Sequence, residues 1–105
     1  MAAEAAQGPQ VHDAPERGRY ELTLDGQLAG VAFYARGEGE ITLRHTEVDD
    51  RFEGRGLGSR LARTVLDDAR ARGLRVVPLC PFMAGYIRTH PEYQDLVAGP
   101  LDAPG

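Results

Sequence analysis

Residues 40–80 read EITLRHTEVDDRFEGRGLGSRLARTVLDDARARGLRVVPLC, and this stretch decides the architecture. It opens at Glu40 to Val48 with the alternation of a half-buried strand. From Leu57 the period changes, because Leu57, Leu61, Ala62, Val65, Leu66 and Ala69 recur at helical spacing, with Arg60, Arg63, Asp67, Asp68, Arg70 and Arg72 left outside. Arg63 with Asp67 and Asp68 with Arg72 stand four apart, and Gly73 suits the residue after a helix end. Arg75 to Cys80 is then a short, almost unbroken apolar run, expected of a strand covered on both faces, with an edge or break at Pro78. Strand, helix, strand in this order makes a right-handed parallel crossover the default.

Within the first of these strands Ile41 and Leu43 set the buried parity, which continues through His45 and Glu47, whereas Val48 falls on the other side. Either the strand ends there or a bulge shifts its phase. Upstream, Arg19 to Asp25 place Tyr20, Leu22 and Leu24 on one face, and Asp25-Gly26 is a two-residue hairpin turn. The strand from about Gln27 to Arg36 follows, with Val31, Phe33 and Ala35 on one side, up to the turn at Gly37-Glu38-Gly39. A short helix near Met83 to Thr89 closes the pattern. The expected class is α/β (α+β): three antiparallel strands, a helix, a parallel strand and a short C-terminal helix in one mixed sheet.

The chain of 105 residues, 42% hydrophobic, has room for one modest core. Residues 1–17 mix Ala, Gln, Gly and Pro without apolar period and read as a disordered segment; 18–98 read as the folded domain and 99–105 as a flexible tail. No stretch has the features of a signal peptide or membrane span, so the expected compartment is the cytoplasm. One cysteine, Cys80, rules out an internal disulfide or a multi-cysteine zinc site, and no metal is expected. A net charge of −4 argues against nucleic acid as a partner. All 12 basic residues are arginine, which removes Schiff-base chemistry and a P-loop lysine, and the single serine, Ser59, lacks the context of a hydrolase nucleophile.

Gly54, Gly56 and Gly58 alternate in Gly54-Arg55-Gly56-Leu57-Gly58, directly after a strand and at the start of the amphipathic helix. Glycine lets a ligand approach the backbone, and the first free N–H groups with the helix dipole favour an anion. The spacing is neither that of the dinucleotide fingerprint nor that of a nucleoside triphosphatase loop, and glycines also simply tighten such turns.

Phe52-Glu53-Gly54-Arg55-Gly56-Leu57-Gly58-Ser59-Arg60-Leu61 resembles the coenzyme A pyrophosphate loop of the GCN5-related N-acetyltransferase (GNAT) superfamily, written Q/R-x-x-G-x-G/A. The run from Val77 to Tyr93 resembles that superfamily's small YjdJ-type branch, and with His45-Thr46-Glu47-Val48 the resemblance spans nearly the whole folded unit. It implies acetyl-CoA (coenzyme A) as cofactor, with Val48, Gly54, Arg55, Gly56, Leu57, Gly58 and Ser59 as the binding set and the pantetheine arm between the strands of 40–48 and 75–80. Glu53 is set against the motif's Gln or Arg, so main-chain contacts are expected to carry the phosphates. The superfamily's usual helices between its first two strands have no room at Asp25-Gly26. The acceptor side is therefore expected to be open, or completed by another chain, as in a homodimer.

Acyl transfer to an amine needs a base, donors for a developing oxyanion and an acid for the thiolate. Glu47 is the candidate base, directly or through water, against the reading of a solvated strand-end carboxylate. His45 shares its face and is the substitute, unless it is a packed polar residue. Tyr86 falls where the resemblance implies the acid for the leaving thiolate; the alternative is a ring packed on Phe82. Cys80 ends a strand just before a helix and is either an acyl-accepting thiol or an inert buried one. The expected function is direct transfer of an acetyl group to a small-molecule or peptide amine, with a non-catalytic acyl-CoA-binding module as the alternative.

Overall fold

In the computed structural model, residues 8–98 are described, and strand β1 covers Pro9–Ala14. It is followed by β2 (Arg19–Leu24), β3 (Gln27–Gly37), β4 (Glu40–Val48), helix α1 (Leu57–Ala71), β5 (Arg75–Pro78) and helix α2 (Pro81–Arg88). Short 3-10 segments lie at Pro15–Arg17, Asp50–Phe52 and Pro91–Leu96. The five strands lie side by side in sequence order, antiparallel through β4 and parallel between β4 and β5. This is the expected mixed α+β sheet with one more antiparallel strand.

That extra strand corrects the reading of residues 1–17 as disordered. From Pro9 to Ala14 every residue pairs with β2, and Asp13 accepts a hydrogen bond of 2.6 Å from the Tyr34 hydroxyl. Only the partly buried Val11 and the small Ala14 turn apolar side chains inward from this segment, so periodicity could not reveal a strand made by pairing to an existing edge. Residues 1–7 and the expected tail, 99–105, lie outside the described residues.

Helix α1 buries Leu57, Leu61, Ala62, Val65, Leu66 and Ala69, the six positions of its apolar stripe. They meet Tyr20, Leu22, Leu24, Ile41 and Leu43 from the sheet and Met83 and Ile87 from α2 in one core. Fully burying side chains of this size is worth about 1.5–3 kcal/mol each, which makes this layer the main source of stability. Three tyrosines at its rim donate to carboxylates: Tyr20 to Asp68, Tyr34 to Asp13, and Tyr93 to Asp67. Burial, and then the carboxylate beside each ring, pushes Tyr34 and Tyr93 up to about 12 and Tyr20 further. Asp68 pairs with Arg72 at 3.1 Å as its spacing suggests, while Asp67 serves Tyr93.

In β4 the register slips between Phe33/Tyr34 of β3: His45 faces Phe33 and Leu43 faces Tyr34, so Arg44 is the extra residue of a bulge. The phase shift seen at Val48 has this origin. Ile41 and Leu43 are buried, whereas beyond Arg44 the even residues Thr46 and Val48 turn inward and His45 and Glu47 are exposed.

Candidate active site

Strand β5 follows β4 only as far as Leu43, opposite Pro78. Proline offers no donor, and the amides of Leu79 and Cys80 both turn to the Leu43 carbonyl, each at 3.0 Å. Leu79 is thrown outward and Pro81 starts α2. This shortens the strand expected over 75–80 and starts the last helix two residues earlier than expected. Among the described residues, Arg44 to Val48 have no β5 partner, so their main-chain groups on that side are left for something else.

Facing this unzipped end is the N-terminus of α1. Its N-cap, Gly56, is left-handed (φ 72°) after a left-handed Gly54 (φ 83°). No side chain caps the helix, its first turn holds no acid, and a Cβ at Gly54 or Gly56 would meet nothing within 4 Å. The first amides of α1 thus point out of a bare, approachable loop, the arrangement that suits an anion. Gly58 differs from the other two. A Cβ there would lie 3.0 Å from the Phe82 ring, so this glycine lets α2 close against α1, and only its main chain remains for a ligand.

Counting Q/R-x-x-G-x-G/A onto the chain puts Arg51, three residues before Gly54, at the Gln or Arg place, and this replaces the assignment to Glu53. Arg51 and Arg55 both lie over the Phe52 ring, at 5.2 and 5.6 Å. Arg51 also clamps Asp49 through Nε and Nη2 at 3.1 and 3.0 Å, which lowers that carboxyl's pKa. Two guanidiniums therefore stand at the entrance to the loop.

The other sequence candidates fall around the open half of β4. Glu47 Oε2 and His45 Nε2 are 2.8 Å apart, and both side chains are exposed. Glu47 lines a depression of about 170 Å3 with Leu28, Gly30, Val31 and Asp49. Gly30 is required there, because a Cβ would be 3.0 Å from the Glu47 carbonyl oxygen. Cys80 is buried, and its thiol reaches Thr46 Oγ1 at 3.4 Å on the inward face, away from the Glu47 side. Tyr86 stacks on His90, with centroids 3.7 Å apart. Its hydroxyl makes no hydrogen bond among the described residues, yet no buried polar atom lacks a partner, so the phenol tip reaches the surface. Thr46, Arg44 and Arg51 escaped the sequence reading. The phase break at Val48 marked the first two, and the motif count marks the third.

A loop for an anion beside two strands that part company defines a class of fold, and comparison with known proteins gives it a family. A profile described as GCN5-related N-acetyl-transferase matches residues 19–96, and the chain belongs to this family. Protein NATD1 of Homo sapiens is 33% identical over 87 residues, 81% of this chain and 76% of that protein. Protein NATD1 of Xenopus tropicalis is 30% identical over 87 residues, covering 81% and 79%. In structure, a GCN5-like acetyltransferase candidate from Staphylococcus aureus superposes with a TM-score of 0.69 at 22% identity, over 90% of this chain and 92% of that one. The ribosomal-protein-S18-alanine N-acetyltransferase of Escherichia coli gives 0.55 at 23% identity, over 73% and 45%. The fold is thus that of the GNAT proteins.

Proposed function

We propose that the protein is an acetyl-CoA-dependent N-acetyltransferase that moves the acetyl group directly to an amine. The observation that carries this reading is the uncapped N-terminus of α1, with left-handed glycines open to approach, beside the half of β4 that β5 leaves unpaired. The residues present fit coenzyme A. Amides of Leu57, Gly58 and Ser59 would hold the pyrophosphate, with Arg55 and Arg51 as charged neighbours, and the edge of β4 up to Val48 would hold the amide-bearing arm. Acetyl-CoA supplies an acetyl group activated as a thioester.

The chain's own residues divide the proton work. Glu47, held by His45, takes the proton of the acceptor amine from the exposed side of β4. Tyr86 returns a proton to the departing sulfur through its open phenol tip. Cys80, buried and turned toward Thr46, takes no acyl group. Calorimetry with coenzyme A and a thiol-release assay with acetyl-CoA and a panel of amines test the reading. Binding with amine-dependent thiol release is expected; binding without release for any amine would leave a cofactor-binding module, and no binding would remove the site.

A further inference from the structure

The groove above the exposed side of β3 and β4 carries a charge opposite to that of the whole molecule. About 490 Å3 in volume, and larger than the depression at Glu47, it is lined by Arg17, Gly18, Phe33, Tyr34, Arg44 and His45, with no carboxylate among them. Yet the chain as a whole has a net charge of −4. Arg44, the bulge residue, is exposed and enters no ion pair among the described residues. Beside it Arg19 lies over the Phe33 ring at 5.6 Å, and Arg17 and Arg19 share one carboxylate, Glu21, each at 2.7 Å. Arg17 also meets the exposed Glu16 at 3.2 Å, so Arg17, Arg19 and Arg44 stand against two carboxylates, and the surplus positive charge over the aromatic floor is that of the unpaired Arg44.

His45 joins this groove to the Glu47 depression, since its ring lines the one and bonds the carboxylate that lines the other. The second depression has the opposite character through Glu47, since Asp49 at its wall is already clamped by Arg51. Two residues along a strand span roughly 7 Å, about the rise of two residues of an extended peptide. A molecule with an amine at Glu47 and a carboxylate one or two residues away would satisfy both ends. We infer that the acceptor is an acidic peptide, lying extended on the exposed side of β3 and β4 with its amine at Glu47 and a carboxylate at Arg44 and His45. The inference rests on the N-acetyltransferase reading and names its substrate class. Local charge decides here over net charge, because exposed charges more than about 8–10 Å away are largely screened at physiological salt.

Three peptides alike except for their second and third residues, Ala-Glu-Glu, Ala-Gln-Gln and Ala-Lys-Lys, test it in two measurements. The first is an NMR titration of the protein without cofactor. Amide shifts should gather at Gly18, Phe33, Arg44 and His45, with affinity about tenfold higher for the Glu peptide than for the Gln peptide, as complementary exposed charges allow. Arg44→Glu, an exposed change whose folding is checked by its melting temperature, should erase that preference, and Arg44→Gln should reduce it by roughly half on a logarithmic scale. The second is thiol release from acetyl-CoA with the same peptides, where kcat/KM should follow the same order and Arg44→Glu should turn it toward the Lys peptide. Equal binding of all three peptides, or shifts elsewhere, overturns the acidic acceptor. Acetylation without charge preference overturns it while leaving the transferase standing. Groove binding of the Glu peptide with no thiol release upholds the groove as an acidic-peptide site and overturns the transferase.

Discussion

Strand β4 is one strand built to two specifications, and the division falls at Arg44. Before it, β4 is paired on both sides and Ile41 and Leu43 are 1% exposed in the core. After it, β3 alone holds the strand, and His45 and Glu47 stand in solvent. The closed half is stabilised by packing and the open half by polar contacts, so the same kind of substitution should damage stability in one and chemistry in the other. Families that bind ligands between strands need this division, because a fully zipped sheet leaves its main-chain groups no partner to find.

The largest effect should come from the closed half. Leu43→Ala removes a fully buried side chain between the sheet and α1 and should cost about 2–5 kcal/mol of stability, read by denaturant unfolding. An equal loss from Glu47→Ala would end the comparison, since that side chain is exposed. In the open half, Gly56→Val puts a branched side chain where φ is 72° and where the space above is empty. We expect at least a hundredfold loss of coenzyme A affinity by calorimetry, with a stability cost of about 1–3 kcal/mol from the strained backbone. Glu47→Gln keeps shape and removes the proposed base, and should lower kcat on the order of a hundredfold or more with melting temperature and cofactor affinity held.

The closed half was legible in the sequence because burial writes periodicity. All six buried positions of α1, the bounds Glu40 to Val48 and the turn at Asp25-Gly26 follow from residue spacing alone. The open half was legible only in part. Its glycine turn stood out by composition, and the mismatch at Val48 left a strand end and a bulge equally open. What no pattern could show were contacts between distant segments: Phe82 against Gly58, and Thr46 beside Cys80. Strand β1 was hidden for a related reason, since its stability lies in pairing with β2.

A further test concerns the polar side on which the open half lies. Glu21, buried at 6% exposure, accepts from Arg17 and Arg19, and these hydrogen bonds hold its carboxyl near 2, below an ordinary 4.5. A carboxyl that binds its proton more weakly folded than unfolded stabilises the fold above the unfolded value and loses that contribution as pH falls through the folded one. Acid should therefore weaken the protein between pH of about 4.5 and 2. Glu21→Gln should cost about 1–2 kcal/mol at neutral pH, since the three charge-assisted hydrogen bonds from Arg17 and Arg19 lose their carboxylate while the partly exposed arginines keep their water. Melting curves of parent and variant should converge toward pH 2; a constant gap would assign the loss to packing.

The smallest effect should come from Cys80, which sits where the two halves meet. Its amide ends the parallel ladder on the Leu43 carbonyl, a main-chain contact that no side-chain change removes. Its thiol is buried and reaches Thr46 Oγ1 at 3.4 Å, a long and weak contact. Cys80→Ala deletes one sulfur from a tight site and should cost about 1 kcal/mol, in keeping with a small loss of buried volume. Turnover should stay within about threefold of the parent, because direct transfer gives the thiol no bond to make. Intact-mass analysis during turnover is the sharper check. A stoichiometric acetyl adduct on the parent, absent from the Cys80→Ala variant and discharged by added amine, would make the mechanism ping-pong and move Cys80 from the closed half's packing to the open half's chemistry. With no adduct and near-parental turnover, the boundary at Arg44 and Leu43 holds: the thiol packs, and the exposed pair of His45 and Glu47 carries the proton.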